Sequence, residues 1–131
     1  MDAHLVDRLM PRHPVGLELP IDWDVRVRRK LFQSSEHAVP ALIREISLLG
    51  ALVDAPMPPS REVGERVQIR MQGRTGVVEI RHARPAYTQG RALYGVMFVD
   101  TRELEDLIAD IVGYLRAQED DNVDGAWETA H

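Results

Sequence analysis

Hydrophobic and polar residues alternate along most of this chain, and the period of that alternation changes once. Trp23, Val25 and Val27 interleave with Asp24, Arg26 and Arg28. A period of two predicts a half-buried strand, here over 15–32 with an interruption at Pro20. Ser34 and Ser35 supply a polar break, and 39–46 predicts a second strand, with Pro40 near its start or on an edge. After a short interruption at 47–50 the extended pattern resumes over 51–53. The run Ala55-Pro56-Met57-Pro58-Pro59-Ser60 is loop. Val67, Ile69 and Met71 mark a strand over 66–71, and the turn over 73–76 is not the favoured two-residue hairpin type. Strands over 77–81 and 92–98 follow, separated by a loop at 85–90.

The period then lengthens. Leu104, Leu107, Ile108, Ile111, Val112 and Leu115 recur at spacings of three and four, which lays one apolar stripe along a helix. Asp100 or Thr101 is suited to cap it, and Glu103 and Glu105 match the positive end of the helix dipole. The helix is expected to end near Ala117. Five to seven short strands followed by one amphipathic helix indicate a small antiparallel barrel or sandwich, with the helix covering an open end or side.

Composition narrows the function classes. The chain has 131 residues, one domain's worth, and no cysteine. Disulfide frameworks, zinc–thiolate sites and a cysteine nucleophile are excluded, and a reducing compartment fits. Residues 1–10 are too polar for a signal peptide, and no apolar run approaches the roughly 18 residues of a membrane span. The expectation is a cytoplasmic protein without membrane insertion. Net charge is −5, much of it from the lysine- and arginine-free stretch after Ala117. Arg26, Arg28, Arg29 and Lys30 form the densest basic cluster. It reads as an exposed strand face and not as a nucleic-acid site, because only Trp23 and Phe32 are available for stacking. His13, His37 and His82 are too scattered for a metal site, and no nucleophile–base or paired-carboxylate arrangement points to an enzyme.

Three segments carry a family likeness. Arg8-Leu9-Met10-Pro11-Arg12-His13-Pro14 resembles the arginine pair, three residues between, that precedes the first strand of PilZ domains, the bacterial receptors for cyclic di-GMP. Glu45-Ile46-Ser47-Leu48-Leu49-Gly50 is similar to that family's Asp/Asn-x-Ser-x-x-Gly turn between two strands. Tyr94-Gly95-Val96-Met97-Phe98-Val99-Asp100 before an amphipathic helix looks like its closing strand. The resemblance spans residues 8–116. It implies a mainly β fold, a small antiparallel six-stranded split barrel of PilZ type with a C-terminal amphipathic α-helix. The domain organisation expected is a flexible arm at 1–14, barrel and helix at 15–117, and, from its acidic composition with few core formers, a disordered tail at 118–131. This chain differs from the family in having Glu45 at the first turn position and Asp7 where a further arginine is frequent. The long gap from Arg12 to Glu45 implies an extended first hairpin.

The resemblance assigns cyclic di-GMP as ligand, bound by Arg8, Arg12, Glu45, Ser47 and Gly50, with no cofactor and no metal. A guanidinium forks two donors toward phosphate or the guanine O6/N7 edge and can stack on a purine. Glu45 suits the guanine N1–H and amino group, Ser47 a base or phosphate, and Gly50 a tight turn with close ligand approach. A protein partner of unknown identity would read the nucleotide-bound state. The alternative is an adaptor that binds protein partners without nucleotide.

Overall fold

The structure, a computed structural model, describes the backbone of residues 13–30, 33–57 and 61–129 and the side chains of 19–26, 37–57 and 61–119. Six strands come first: β1 (His13–Lys30), β2 (Gln33–Ile46), β3 (Gly50–Pro56), β4 (Arg66–Met71), β5 (Arg74–Pro85) and β6 (Arg91–Asp100). The helix α1 (Glu105–Thr129) follows. The strands close into a barrel in the order β1-β2-β3-β6-β5-β4, every pair antiparallel. Of the two architectures that the periodicity left open, the barrel is the one formed. Closure removes free edges where a strand pairs on both sides. The β1–β4 seam is the Asp22↔Arg70 pair, where Arg70 Nε donates to Asp22 Oδ2 at 3.1 Å.

Each strand follows from its side-chain pattern. In β4, Val67, Ile69 and Met71 point inward while Arg66 and Gln68 face water. Met71 pairs with Arg74 across Gln72 and Gly73, whose φ values are 51° and 77°. Positive φ at both central residues makes this a two-residue type I′ hairpin, not the longer turn expected over 73–76. Gly76 instead lies within β5, where an added Cβ would sit 2.4 Å from Leu104 Cδ1. The first hairpin is extended, as the Arg12-to-Glu45 gap implied. Ser34 and Ser35 do not break it; they pair with Arg29 and Arg28 inside β2. Pro40 pairs with Asp22, beyond the point where β3 stops pairing with β2, so its missing N–H faces no second strand.

The core fills the barrel. Trp23 and Tyr94 stack inside it with ring centroids 5.4 Å apart, surrounded by Ile43, Ile46, Val53, Ile69 and Ile80. Truncating either ring to alanine removes about 3–5 kcal/mol. Leu104, just before α1, joins this cluster with Ile108, Val112 and Leu115 of α1, and Leu107 and Ile111 pack at its margin. At the helix start, Arg102 N–H and its guanidinium both donate to Asp100, which holds that carboxyl below the usual carboxylate range. The helix does not stop at Ala117. It continues to Thr129, through the stretch expected to be disordered; Ala117, Gln118 and Glu119 favour helix, and Gly125 is accommodated within it.

A bulge in β1 places a charge in this interior. The β1–β2 register slips between Trp23 and Arg26, and Asp24 there has φ 57°. Its buried carboxylate accepts from Arg26 Nε at 3.2 Å and from the Arg61 guanidinium. Arg61 N–H in turn donates to the Tyr94 hydroxyl at 3.2 Å, so the segment that starts at Arg61 is fastened to the Trp23–Tyr94 stack.

Candidate functional site

The turn joining β2 to β3 is organised by Ser47. Its hydroxyl accepts from Leu49 N at 3.2 Å and Gly50 N at 3.1 Å, and donates to Gly50 O at 3.3 Å. A hydroxyl has one proton and two lone pairs, so all of its bonding capacity is engaged within the turn. Ser47 is also buried, at 3% exposure. Direct bonding to a base or phosphate, the role expected from the sequence, is therefore closed to it in this conformation; it shapes the turn. Gly50 is likewise structural. An added Cβ would lie 2.2 Å from Val96 O, so the close approach it permits is that of β6, not of a ligand. Leu49 O accepts from Phe98 N at 2.8 Å, which ties the turn to the same strand. The tip itself presents Leu48 and Leu49 to solvent.

A second bulge puts charge beside this turn. Ile43 and Ile46 both point into the core although they are three residues apart. The β2–β3 register slips between Ile43 and Glu45. The extra residue turns Arg44 and Glu45 onto the same outer face. They do not pair with each other. Arg44 donates to Asp54 Oδ2 through Nε at 3.2 Å and Nη2 at 3.0 Å, leaving Glu45 half-exposed with no partner among the described residues.

The chain enters the barrel at this place. His13 pairs with Ile46 and Pro14 with Glu45, so the first two residues of β1 run against the strand end that leads into Ser47. Arg8 and Arg12 lie outside the described residues. His13 and Pro14, expected in the arm, belong to β1. Of the five expected site residues, the structure thus brings Glu45, Ser47 and Gly50 together at one turn.

Across the barrel the outer row from Glu45 runs through Leu52 and Gly95 to His82. A Cβ on Gly95 would meet the His82 ring at 2.0 Å, so the imidazole lies over the glycine. Neither His82 nor the Arg44–Asp54 pair was singled out by sequence reasoning. The signal for Arg44 was available in the three-residue spacing of Ile43 and Ile46; none existed for His82, whose position depends on a partner strand. A cavity of about 490 Å³ lies elsewhere, at the β1–β4 seam. Its Arg70 and Arg91 are committed to Asp22 and Asp54. Among the described residues, no group of three His, Asp or Glu side chains could hold a metal, and no helix is long and apolar enough to cross a membrane.

No protein-family model matches the chain, and no curated protein does. Among solved structures it is similar to the PilZ domain of YcgR from Escherichia coli in a structure with c-di-GMP. The TM-score is 0.57 at 15% identity, covering 88% of this chain and 95% of that one.

Proposed function

From the premise that this chain has a PilZ-like fold, we propose that it is a cyclic di-GMP receptor whose ligand lies on the outer face of β2 and β3, with Arg8 and Arg12 closing over it. The observation that carries the reading is the pairing of His13 with Ile46. His13 stands beside the Ser47 turn, so the reach of the preceding arginines from it is set by chain length. Arg12 is one peptide, about 3.8 Å between Cα atoms, from His13, and Arg8 is within roughly 14 Å more of chain. Two forked cations supplied there meet a face whose free carboxylate, Glu45, can accept from a guanine N1–H and amino group. Ser47 and Gly50 serve by fixing the loop that positions Glu45. The structural neighbour, with c-di-GMP bound, supports the same ligand. Binding fixes the arm on the barrel, and a protein partner in the cytoplasm reads the new arm conformation. The reading assigns this protein no catalytic step.

Calorimetry and thermal melting with cyclic di-GMP test it. Binding should saturate and stabilise the domain by about 2.7 kcal/mol at 100 times the dissociation constant. Arg8→Ala and Arg12→Ala should each weaken binding by about 1–3 kcal/mol. Absence of both heat and melting shift at tens of micromolar nucleotide ends the receptor reading. The alternative, an adaptor that engages protein without nucleotide, is favoured by one feature, the solvent-exposed Leu48 and Leu49 at the turn tip. It gains that ground only if the titration is blank.

A further inference from the structure

Beside Glu45 the barrel carries a second constellation that the receptor reading leaves unused. Asp54 holds two arginines at once. Arg44 bonds Oδ2, while Arg91 donates from Nε to Oδ1 at 2.6 Å and from Nη2 to the Asp54 carbonyl at 3.1 Å. The Asp54 side chain is 9% exposed and that of Arg44 is 47% exposed. One buried anion between two cations leaves a net positive charge. Arg44 has five N–H donors, and those not directed at Asp54 are available on the exposed side.

Alongside runs a groove of about 260 Å³ lined by Arg44, Leu52, Asp54, Tyr87, Thr88 and Leu93. Leu52 is shared with the Glu45 row, so the groove adjoins the proposed ligand face. Tyr87, in the loop between β5 and β6, is fully exposed. The groove thus combines an apolar floor, an aromatic at the rim and a cation held in place in advance. Its volume falls below the roughly 300–1,000 Å³ typical of whole small-molecule pockets, which suits part of a ligand and not all of it.

We propose that this groove is a base-and-phosphate subsite for one half of the dinucleotide. The base lies over Leu52 and Leu93 and stacks on Tyr87, and Arg44 donates to a phosphate oxygen. Asp54 is the positioning residue: it fixes the Arg44 guanidinium before the ligand arrives, which reduces the ordering cost of binding. This inference rests on the receptor reading and adds residues to it.

The test is a calorimetric titration of cyclic di-GMP into the full chain and into Arg44→Ala, Tyr87→Ala and Tyr87→Phe. Stacking on one aromatic is worth about 1–3 kcal/mol per base, so Tyr87→Ala should weaken binding by roughly 5- to 150-fold. Arg44→Ala should weaken it by a similar factor. Tyr87→Phe, which keeps the ring, should bind as the unaltered chain does. Because Tyr87 is exposed, the unliganded melting temperature of its variants should not change. If the unaltered chain does not bind, the receptor reading fails first. If it binds and the two alanine variants bind equally well, the subsite is overturned while the receptor reading stands. A loss in Tyr87→Phe equal to that in Tyr87→Ala overturns the stacking assignment.

Discussion

Replacing Gly50 with alanine should destabilise the domain far more than a single methyl group suggests. The added Cβ would stand 2.2 Å from Val96 O, 3.3 Å from Val96 C and 3.4 Å from Met97 Cα. All three are backbone atoms, so no side-chain rotation relieves the contact. To reach an ordinary separation, β3 and β6 must part by about 1 Å at the Gly50↔Met97 pair. Two adjoining bonds of 2.8 Å, Phe98 N–H to Leu49 O and Ser47 N–H to Gly50 O, are disturbed with it. Overpacking costs about 1–3 kcal/mol and each weakened main-chain bond about 1 kcal/mol, roughly 3–5 kcal/mol together. That is a large share of a stability of about 5–15 kcal/mol. The melting temperature, followed by far-ultraviolet circular dichroism, should fall by roughly 10–20 °C. Gly64→Ala is the control. Nothing lies within 4 Å of its Cβ position, and its φ of 93° costs only about 1 kcal/mol. The reasoning is refuted if Gly50→Ala melts within about 2 °C of the unaltered chain while nucleotide binding is lost. The glycine would then serve the ligand and not the strand.

Two further substitutions separate the turn from the interior. Ser47→Ala leaves the amides of Leu49 and Gly50 without their acceptor, and the urea midpoint should move by an amount corresponding to about 1–3 kcal/mol at unchanged slope. A shift below about 0.5 kcal/mol would show that water replaces the hydroxyl. Asp24→Ala leaves the Arg61 guanidinium, whose side chain is 15% exposed and whose Nε already lacks a partner, with only the 3.5 Å contact to Glu65 Oε2. It should cost about 3–5 kcal/mol, against about 0–1 kcal/mol for Asp22→Ala, whose carboxylate is 45% exposed in its pair with Arg70. Equal losses in parallel urea titrations would show that the Asp24 cluster is solvated.

What the sequence discloses depends on whether a signal is local. The α1 stripe was legible residue by residue, because helical neighbours lie three and four apart in the same segment, and Leu104, Ile108, Val112 and Leu115 are all buried. The β4 alternation was equally plain. Barrel closure was not, since the Asp22↔Arg70 seam joins residues far apart in the chain. The Gln72-Gly73 hairpin escaped notice because glutamine is an uncommon first residue for a turn that needs positive φ. At the site, the Ser-x-x-Gly turn was legible, but the bonds its hydroxyl makes within the turn were not. Which atoms a serine hydroxyl bonds, and which strand a glycine faces, are set by partners that no local pattern names. The bulge at Arg44 and Glu45 was hidden for the opposite reason: its signal is local, but it looks like broken alternation.

That bulge separates the architecture of β2 from its chemistry. Ile43 and Ile46 fill the interior, and the dipeptide between them faces water without contributing to the packed centre. Glu45 can change while the barrel keeps its contents, and Arg44 can change wherever Arg91 continues to hold the buried Asp54 carboxylate. Recognition on this face can therefore vary at two neighbouring positions with little disturbance of the packed interior.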